Sequence, residues 1–355
     1  MAQADQAHLL GLVECCVTTQ EKSSMISVII TAHNEGTDLE ITATLAAYGS
    51  LRPHEVIVVD DCSEPRWEVG ERLDHIERCR VIKTPHQLGV AASRNFGAAR
   101  ATGDVIVFLD SHMRMPDWWL EKIQEAVEQY PSSIFCTACT AWNYLNGSTF
   151  YAGGAEFGKD KVGLEPVWLV PEFQGPTDIC PCLLGACYVF PTPIWRALQG
   201  FNPNFVGWGQ DEQDVSYRAW AFGYEVRRIQ NLVIQHRWDR NPLKDEDPKL
   251  PETWQKCMAE DERFERLPEG DFMNVWHPGY NSVVNCATVF EAGVFEAYKP
   301  KLKEKYPDSR VWRLFSENMA AIRKTRNWVQ DRRIRTDKEI ETIIGYCIPT
   351  VNQEE

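Results

Sequence analysis

Asp110 and His112 stand two residues apart at the close of an apolar run, Gly103-Asp-Val-Ile-Val-Phe-Leu-Asp110. In an extended stretch such positions point to one face, so a carboxylate and an imidazole are presented together. That pair suits Mn²⁺ or a similar divalent ion bound beside phosphates. A further ligand would complete a facial set, and His236, after the apolar positions that begin at Leu232, is the candidate. His33, His54, His75, His86 and His277 have no such partner in sequence and read as surface or core residues. Two other apolar runs also end in polar groups, Thr31 to Glu35 and Asp60-Asp61. Carboxylates placed there can accept from ribose hydroxyls or a base, or hold a metal. One such acid could simply cap the next helix. Acids after three strands of one sheet point instead to a shared ligand.

The elements that must position these groups are short and buried. Residues 25–31, 53–60, 80–83 and 103–110 read as strands, separated by helical stretches beginning near Thr37 or Asp38 and at Gly89. Strands apolar on both faces and spaced by helices predict a parallel sheet covered on both sides. In such a sheet ligands bind beyond the carboxyl ends of the strands, where the polar residues lie. Beyond Pro131 the pattern changes. Residues 133–142 and 185–190 read as strands, 148–168 as hairpins, and 193–198 and 211–222 as helices. Two more short strands follow at 224–228 and 232–236. Asn241 to Leu250 is polar and Pro-flanked, a boundary signal. The remainder reads helical, with Val311, Phe315, Met319, Ile322 and Val329 on one face of a long helix.

The chain has 355 residues, with 44% hydrophobic and 25% charged, the profile of a globular protein. No apolar run approaches the roughly 18 residues of a membrane span. The first basic residue is Lys22, so a secretory start is not expected, and the twelve cysteines fit a reducing, cytoplasmic setting. Net charge is −14, but residues 299–338 carry thirteen Lys/Arg against five Asp/Glu. A basic segment on an acidic body predicts either contact with a polyanion or a solvated helix surface. Cys136 and Cys139 lie on a strand at a spacing that sends them to opposite faces. Together with Cys180 and Cys182 they read as buried thiols rather than a zinc site.

Four stretches resemble the family 2 glycosyltransferases of GT-A fold, the Rossmann-like nucleotide-diphospho-sugar transferase architecture. They are Ser27-Val-Ile-Ile-Thr-Ala-His-Asn-Glu35, Val56-Ile-Val-Val-Asp-Asp-Cys-Ser63, Leu88-Gly-Val-Ala-Ala-Ser-Arg-Asn95 and Phe108-Leu-Asp-Ser-His112. Two more are similar to the catalytic domain of polypeptide N-acetylgalactosaminyltransferases: the run from Phe205 to Trp220, which contains Trp208-Gly-Gln-Asp-Glu212, and Val233-Ile-Gln-His-Arg-Trp238. The resemblance covers roughly residues 25–238; with the sequence pattern on either side, the chain reads as an N-terminal extension (1–24), a catalytic domain (25–240) and a helical C-terminal extension (241–355). It implies that Thr31, His33, Glu35 and Asp60 contact the nucleoside and that Arg94 binds the donor. Asp110, His112 and His236 would hold Mn²⁺ or Mg²⁺ at the diphosphate, with Asp110 also on the donor side. Trp208 and Gly209 would lie against the sugar or acceptor.

The polypeptide enzymes pair Glu with Asn after the Trp-Gly motif and act with retention. Here Asp211-Glu212 is closer to the acid pair of inverting members, so Glu212 is the expected catalytic base, with Asp211 beside it. The resemblance thus implies a metal-dependent transferase moving a hexose or N-acetylhexosamine from a nucleotide sugar, UDP-linked by expectation, with inversion. The polypeptide enzymes also carry a lectin domain and a membrane anchor, neither of which is expected here. The acceptor stays open between polysaccharide or glycolipid, peptide, and a hydroxymethylated DNA base. A sugar nucleotidylyltransferase would need a Gly-rich loop with a basic residue where Ala32-His-Asn-Glu-Gly36 stands. A pseudoenzyme would be expected to lose the metal set or the acid pair.

Overall fold

The computed structural model describes residues 24–141, 151–158, 161–169, 177–237, 276–346 and 348. Residues 1–23, the start of the hairpin region at 148–150, Trp238 and the boundary at 241–250 lie outside the described residues.

Four parallel strands form the expected half: β1 (Ile26–Ala32), β2 (Glu55–Asp60), β3 (Cys79–Lys83) and β4 (Val105–Asp110), in the order β3-β2-β1-β4. Their side chains alternate between two cores, which is why both faces read as apolar. Val28, Ile30, Val56, Val58, Val107 and Leu109 face one core with α1 (Thr37–Ala47) and α3 (Trp119–Gln129). Ile29, Ile57, Val59, Ile106 and Phe108 face the other with α2 (Val90–Ala98). A Cβ on Gly97 would meet Ile29 and Val59 at 2.7 and 2.8 Å, so this glycine lets α2 lie directly on the sheet.

Past β4 the chain makes a two-residue strand, β5 (Met113–Arg114), and then β6 (Ser133–Ala141), β7 (Tyr151–Gly153), β8 (Ala155–Phe157), β9 (Pro166–Trp168), β10 (Thr177–Ile179), β11 (Cys187–Pro191) and β12 (Glu225–His236). β11 is antiparallel to both β4 and β6, and β12 runs parallel to β6, so the sheet continues β4-β11-β6-β12-β10. The two strands expected at 224–228 and 232–236 are one, because β12 absorbs a register shift between Ile229 and Val233, with Asn231 left-handed. Two helices lie between β11 and β12, α4 (Thr192–Leu198) and α5 (Asp211–Ala221).

The C-terminal helices are α6 (Trp276–Val289), α7 (Ala292–Lys305), α8 (Ser309–Glu317), α9 (Met319–Gln330) and α10 (Asp337–Ile344). The long helix expected over 311–329 is broken at Asn318, which closes α8 and opens α9, while Val311, Phe315, Ile322 and Val329 all remain buried. Tyr280, Val283, Phe290 and Ile340 join the same core as Phe108 and Phe190. The described C-terminal helices therefore complete one face of the sheet instead of forming a separate body. Among the described residues no helix is long and apolar enough to cross a membrane.

Part of the basic segment is paired, some of it locally and some of it against the rest of the chain. Lys305 pairs with Glu165, Arg310 with Asp308, and Arg313 with Glu317, while Arg335 donates to the Trp220 carbonyl at 3.0 Å. Arg333 and Asp337 form a buried pair at 2.5 Å, with Tyr217 and the Glu291 N–H also donating to Asp337. Arg323 and Lys324 stay exposed. Removing one partner of a buried pair strands the other charge, so Arg333→Gln should destabilise the fold by about 3 kcal/mol or more. Urea denaturation checks this; a loss within about 0.5 kcal/mol, typical of a surface site, would show that Arg333 is solvated.

Candidate active site

The parallel register sets the carboxyl ends of β1, β2 and β4 side by side: Thr31 lies opposite Asp110, and Ala32 opposite Asp60. Asp60 is buried and its Oδ1 accepts from the Ser63 N–H at 2.9 Å. Its neighbour Asp61 accepts from the N–H groups of Leu88 and Gly89 at 2.7 and 2.9 Å and from the Thr84 hydroxyl. Asp61 thus fastens the loop that enters α2, and Asp60 is the acid left at the strand end. His33 sits against this corner, its Nδ1 2.8 Å from the Asp61 carbonyl.

The metal candidates converge. His112 Nε2 and His236 Nε2 are 3.1 Å apart, His236 Nε2 is 3.3 Å from Asp110 Oδ2, and one ligand atom from each of the three lies within 4.8 Å of the others. The local reason is the pairing of β5 with the end of β12, which sets Met113 opposite His236, while the Arg237 N–H donates to the His112 carbonyl. Asp38 locks this corner by pairing with Arg114 and Arg237 at 2.5 and 2.6 Å. The helix expected to begin near Thr37 or Asp38 starts at Thr37, with Gly36, which has no side chain to cap it, at the N-cap and Asp38 committed to these arginines. Glu35 is buried with its carboxylate 4.0 Å from His112 Nδ1. It lies behind a metal candidate, the place of an acid that orients a ligating imidazole.

Arg94 joins the metal corner to the acid pair. Only 3% exposed, it donates to Asp110 at 2.8 Å and to Asp211 at 2.5 Å, with Glu212 at 3.8 Å. Burial opposes its charge, but Asp211 and Asp110 outweigh that and hold it firmly protonated. Burial likewise opposes ionisation of Asp110, yet the His236 hydrogen bond and Arg94 keep its carboxyl well below the usual range. Asp211 is therefore occupied. Glu212, at the start of α5, is more accessible, and the Tyr188 hydroxyl donates to its Oε1 at 2.6 Å. Burial first, and the charge of Asp211 second, push the Glu212 carboxyl up to about 8.

Trp208 and Gly209 precede α5, on a loop where Gly207, Gly209 and Gln210 all have positive φ. The Trp208 side chain is 52% exposed. The structure thus brings Asp110, His112, His236, Arg94, Asp211 and Glu212 into one network, with Thr31 and Asp60 along the same sheet edge. Sequence reading missed Tyr188, Asp38, Arg237 and Asn281. Of these, Arg237 stood inside the quoted run Val233 to Trp238, and Asn281 with Asn285 places two amides one turn apart on a helix that is mostly apolar.

Residues 27–179 match the family model for glycosyl transferase family 2, and residues 179–238 match the model described as the N-terminal domain of galactosyltransferase. The two matches adjoin and together span more than half of the chain. The chain thus carries a glycosyl transferase family 2 domain over residues 27–179, followed by a galactosyltransferase-type segment, on a GT-A fold. Among curated relatives, polypeptide N-acetylgalactosaminyltransferase 5 of Mus musculus is 26% identical over 201 residues, covering 52% of this chain and 21% of the relative. The protein of the same name from Caenorhabditis elegans is 23% identical over 268 residues, covering 64% and 41%. The chain spans less than half the length of these relatives. Among solved structures, the crystal structure of GalNAc-T7 with UDP, GalNAc and Mn²⁺ aligns with a TM-score of 0.69 at 16% identity, covering 94% of this chain and 61% of that one.

Proposed function

We propose that this protein is a metal-dependent glycosyltransferase that moves a hexose or N-acetylhexosamine from a UDP-sugar to an acceptor hydroxyl, with inversion at the anomeric carbon. The observation that carries this reading is the meeting of Asp110, His112 and His236 with a partly open acid, Glu212, through Arg94. Two imidazole nitrogens and a carboxylate oxygen within bonding reach of one point are the donor set of Mn²⁺ or a similar ion. Asp110, His112 and His236 would hold it, and when bound it would neutralise the diphosphate of the leaving UDP. The likeness to a protein crystallised with UDP and Mn²⁺ supports the donor class.

The chain's own residues do the rest. Asp60, with one oxygen tied to the Ser63 N–H, can accept from the nucleoside. Arg94 fixes Asp110 and Asp211 in register, which leaves Glu212 as the acid able to take an acceptor proton. Tyr188 orients Glu212. A reducing, cytoplasmic setting belongs to the same reading and is supported by eight described cysteines, six of them buried, that are all free thiols. A second reading, retaining transfer to a polypeptide, is favoured by the names of the relatives. The test is incubation with a panel of nucleotide sugars and Mn²⁺, reading the released nucleotide. Release of UDP from one donor supports the proposal; release of pyrophosphate, or no release, sinks it.

Tyr188 gives a finer prediction. Its hydroxyl stabilises the ionised Glu212 carboxylate, so Tyr188→Phe should make that carboxyl harder to ionise. The alkaline rise in transfer rate should move up by about one pH unit. An unmoved profile of kcat/KM against pH would show that Glu212 does not limit the reaction.

A further inference from the structure

The loop that carries Trp208 is held from outside the family-matched segment, by a helix of the C-terminal layer. Asn281 of α6 is 1% exposed and makes four hydrogen bonds to this loop. Its Oδ1 accepts from the Val206 N–H at 2.9 Å, and its two Nδ2 hydrogens are shared among the carbonyls of Val206, Gly209 and Trp208 at 2.9, 2.9 and 3.2 Å. One turn on, Asn285 donates to Gln210 Oε1 at 2.9 Å. His277 and Pro278 complete the seat, since a Cβ on Gly207 would come within 2.4 Å of the His277 ring and one on Gly209 within 3.5 Å of Pro278. On its far side the loop touches α2, with the Val90 N–H donating to the Gly207 carbonyl at 3.1 Å.

This clamp holds a strained piece of chain. Gly207, Gly209 and Gln210 have φ of 58°, 101° and 72°, and Gln210 is not a glycine. Glycine adopts positive φ readily, but Gln210 in that region persists only where the surroundings over-determine it. A buried amide whose two Nδ2 hydrogens are shared among three carbonyls, and whose oxygen takes one N–H, does this, because losing it leaves those groups short of partners in the interior. The next residues in the chain are Asp211 and Glu212. The backbone that Asn281 fixes therefore sets both the Trp208 indole and the start of the helix that aims the acid pair.

We infer that Asn281 is a positioning residue for the reaction, and that α6 is part of the active site's support. The inference rests on the proposed transferase reading for its kinetic consequence, but its structural half can be tested without turnover. Asn281→Asp keeps the side-chain shape and replaces the donor by a carboxylate that repels three carbonyls. In the full chain, hydrogen exchange of the amides at 205–212 should accelerate about tenfold or more, while protection in β1, β2 and β4 is unchanged. Binding of Mn²⁺·UDP should stay within about twofold while transfer kcat falls roughly 10²-fold, the split expected of misplaced chemistry rather than lost binding. Asn281→Ser, which restores a small donor and acceptor, should recover part of the rate.

Unchanged exchange at 205–212 overturns the clamp. Faster exchange throughout the sheet, with kinetics restored on cooling, makes Asn281 a fold residue only. Local loosening with full kcat shows that the loop's position does not matter to the reaction. If Asn281→Asp does not fold, Asn285→Ala is the variant to read, with loosening confined to Gln210–Glu212 expected and none overturning the idea. If the unaltered protein turns over no nucleotide sugar, the transferase reading fails, and the exchange result still decides the clamp.

Discussion

Replacing His236 by alanine is expected to lower nucleotide-sugar turnover by roughly 10²-fold or more while leaving the protein folded. The choice of residue follows from the network. Asp110 is also a metal candidate, but it shares Arg94 with Asp211. Its loss would leave a buried guanidinium short of a partner and confuse metal loss with unfolding. His236 lies at the end of β12, so its ring can be removed while the β5 and β6 pairings of that strand persist. Mn²⁺ titration followed by electron paramagnetic resonance should show weakened binding in the variant. Full activity in that variant, or of the native protein in excess chelator, would remove the metal from the mechanism.

The half of the site that rests on strand ends is legible in the amino-acid sequence. β1, β2 and β4 are buried on both faces, so their apolar runs are unbroken, and the polar residues that stop them must lie at one sheet edge. Asp110 ends β4 and His112 lies in the turn before β5, so the spacing of two marks the pair in the sequence, while the turn and the β5–β12 pairing bring the side chains together. The rest depends on contacts that no local pattern records. Arg94 reaches Asp211 across 117 positions, and Arg237 reaches Asp38 across 199. Glu35 comes within 4.0 Å of His112 Nδ1 across 77 positions of sequence, because the β1–β4 register sets the two strand ends side by side. Within the basic run at 299–338 some charges pair locally, Arg310 with Asp308 and Arg333 with Asp337, and others reach distant parts of the chain, Lys305 to Glu165 and Arg335 to the Trp220 carbonyl, which no local pattern records. The C-terminal helices read as an appendage for a similar reason. Their apolar faces were visible, but not that the sheet lacked a cover on that side.

Glu212→Gln is expected to cost on the order of 10²-fold or more in transfer while donor binding persists. Glutamine keeps the length of the side chain, can still accept from the Tyr188 hydroxyl, and leaves the Arg94–Asp211 pair untouched. What it loses is the ability to take a proton. The pH profile makes the test sharper. Burial and the neighbouring Asp211 push the Glu212 carboxyl up to about 8, so below that pH it is a neutral acid and above it a carboxylate. A base must be ionised to act, so the transfer rate should rise as pH passes through about 8, and the glutamine variant should lack that rise. The product of the native protein, read by proton NMR, should carry the anomeric configuration opposite to the donor's. A product with the donor's configuration and a flat profile would mean that the acid pair, although built like that of an inverting enzyme, serves a retaining one. Arg94 would then hold Asp211 and Glu212 as neighbours of the leaving diphosphate, not as the base that meets the acceptor.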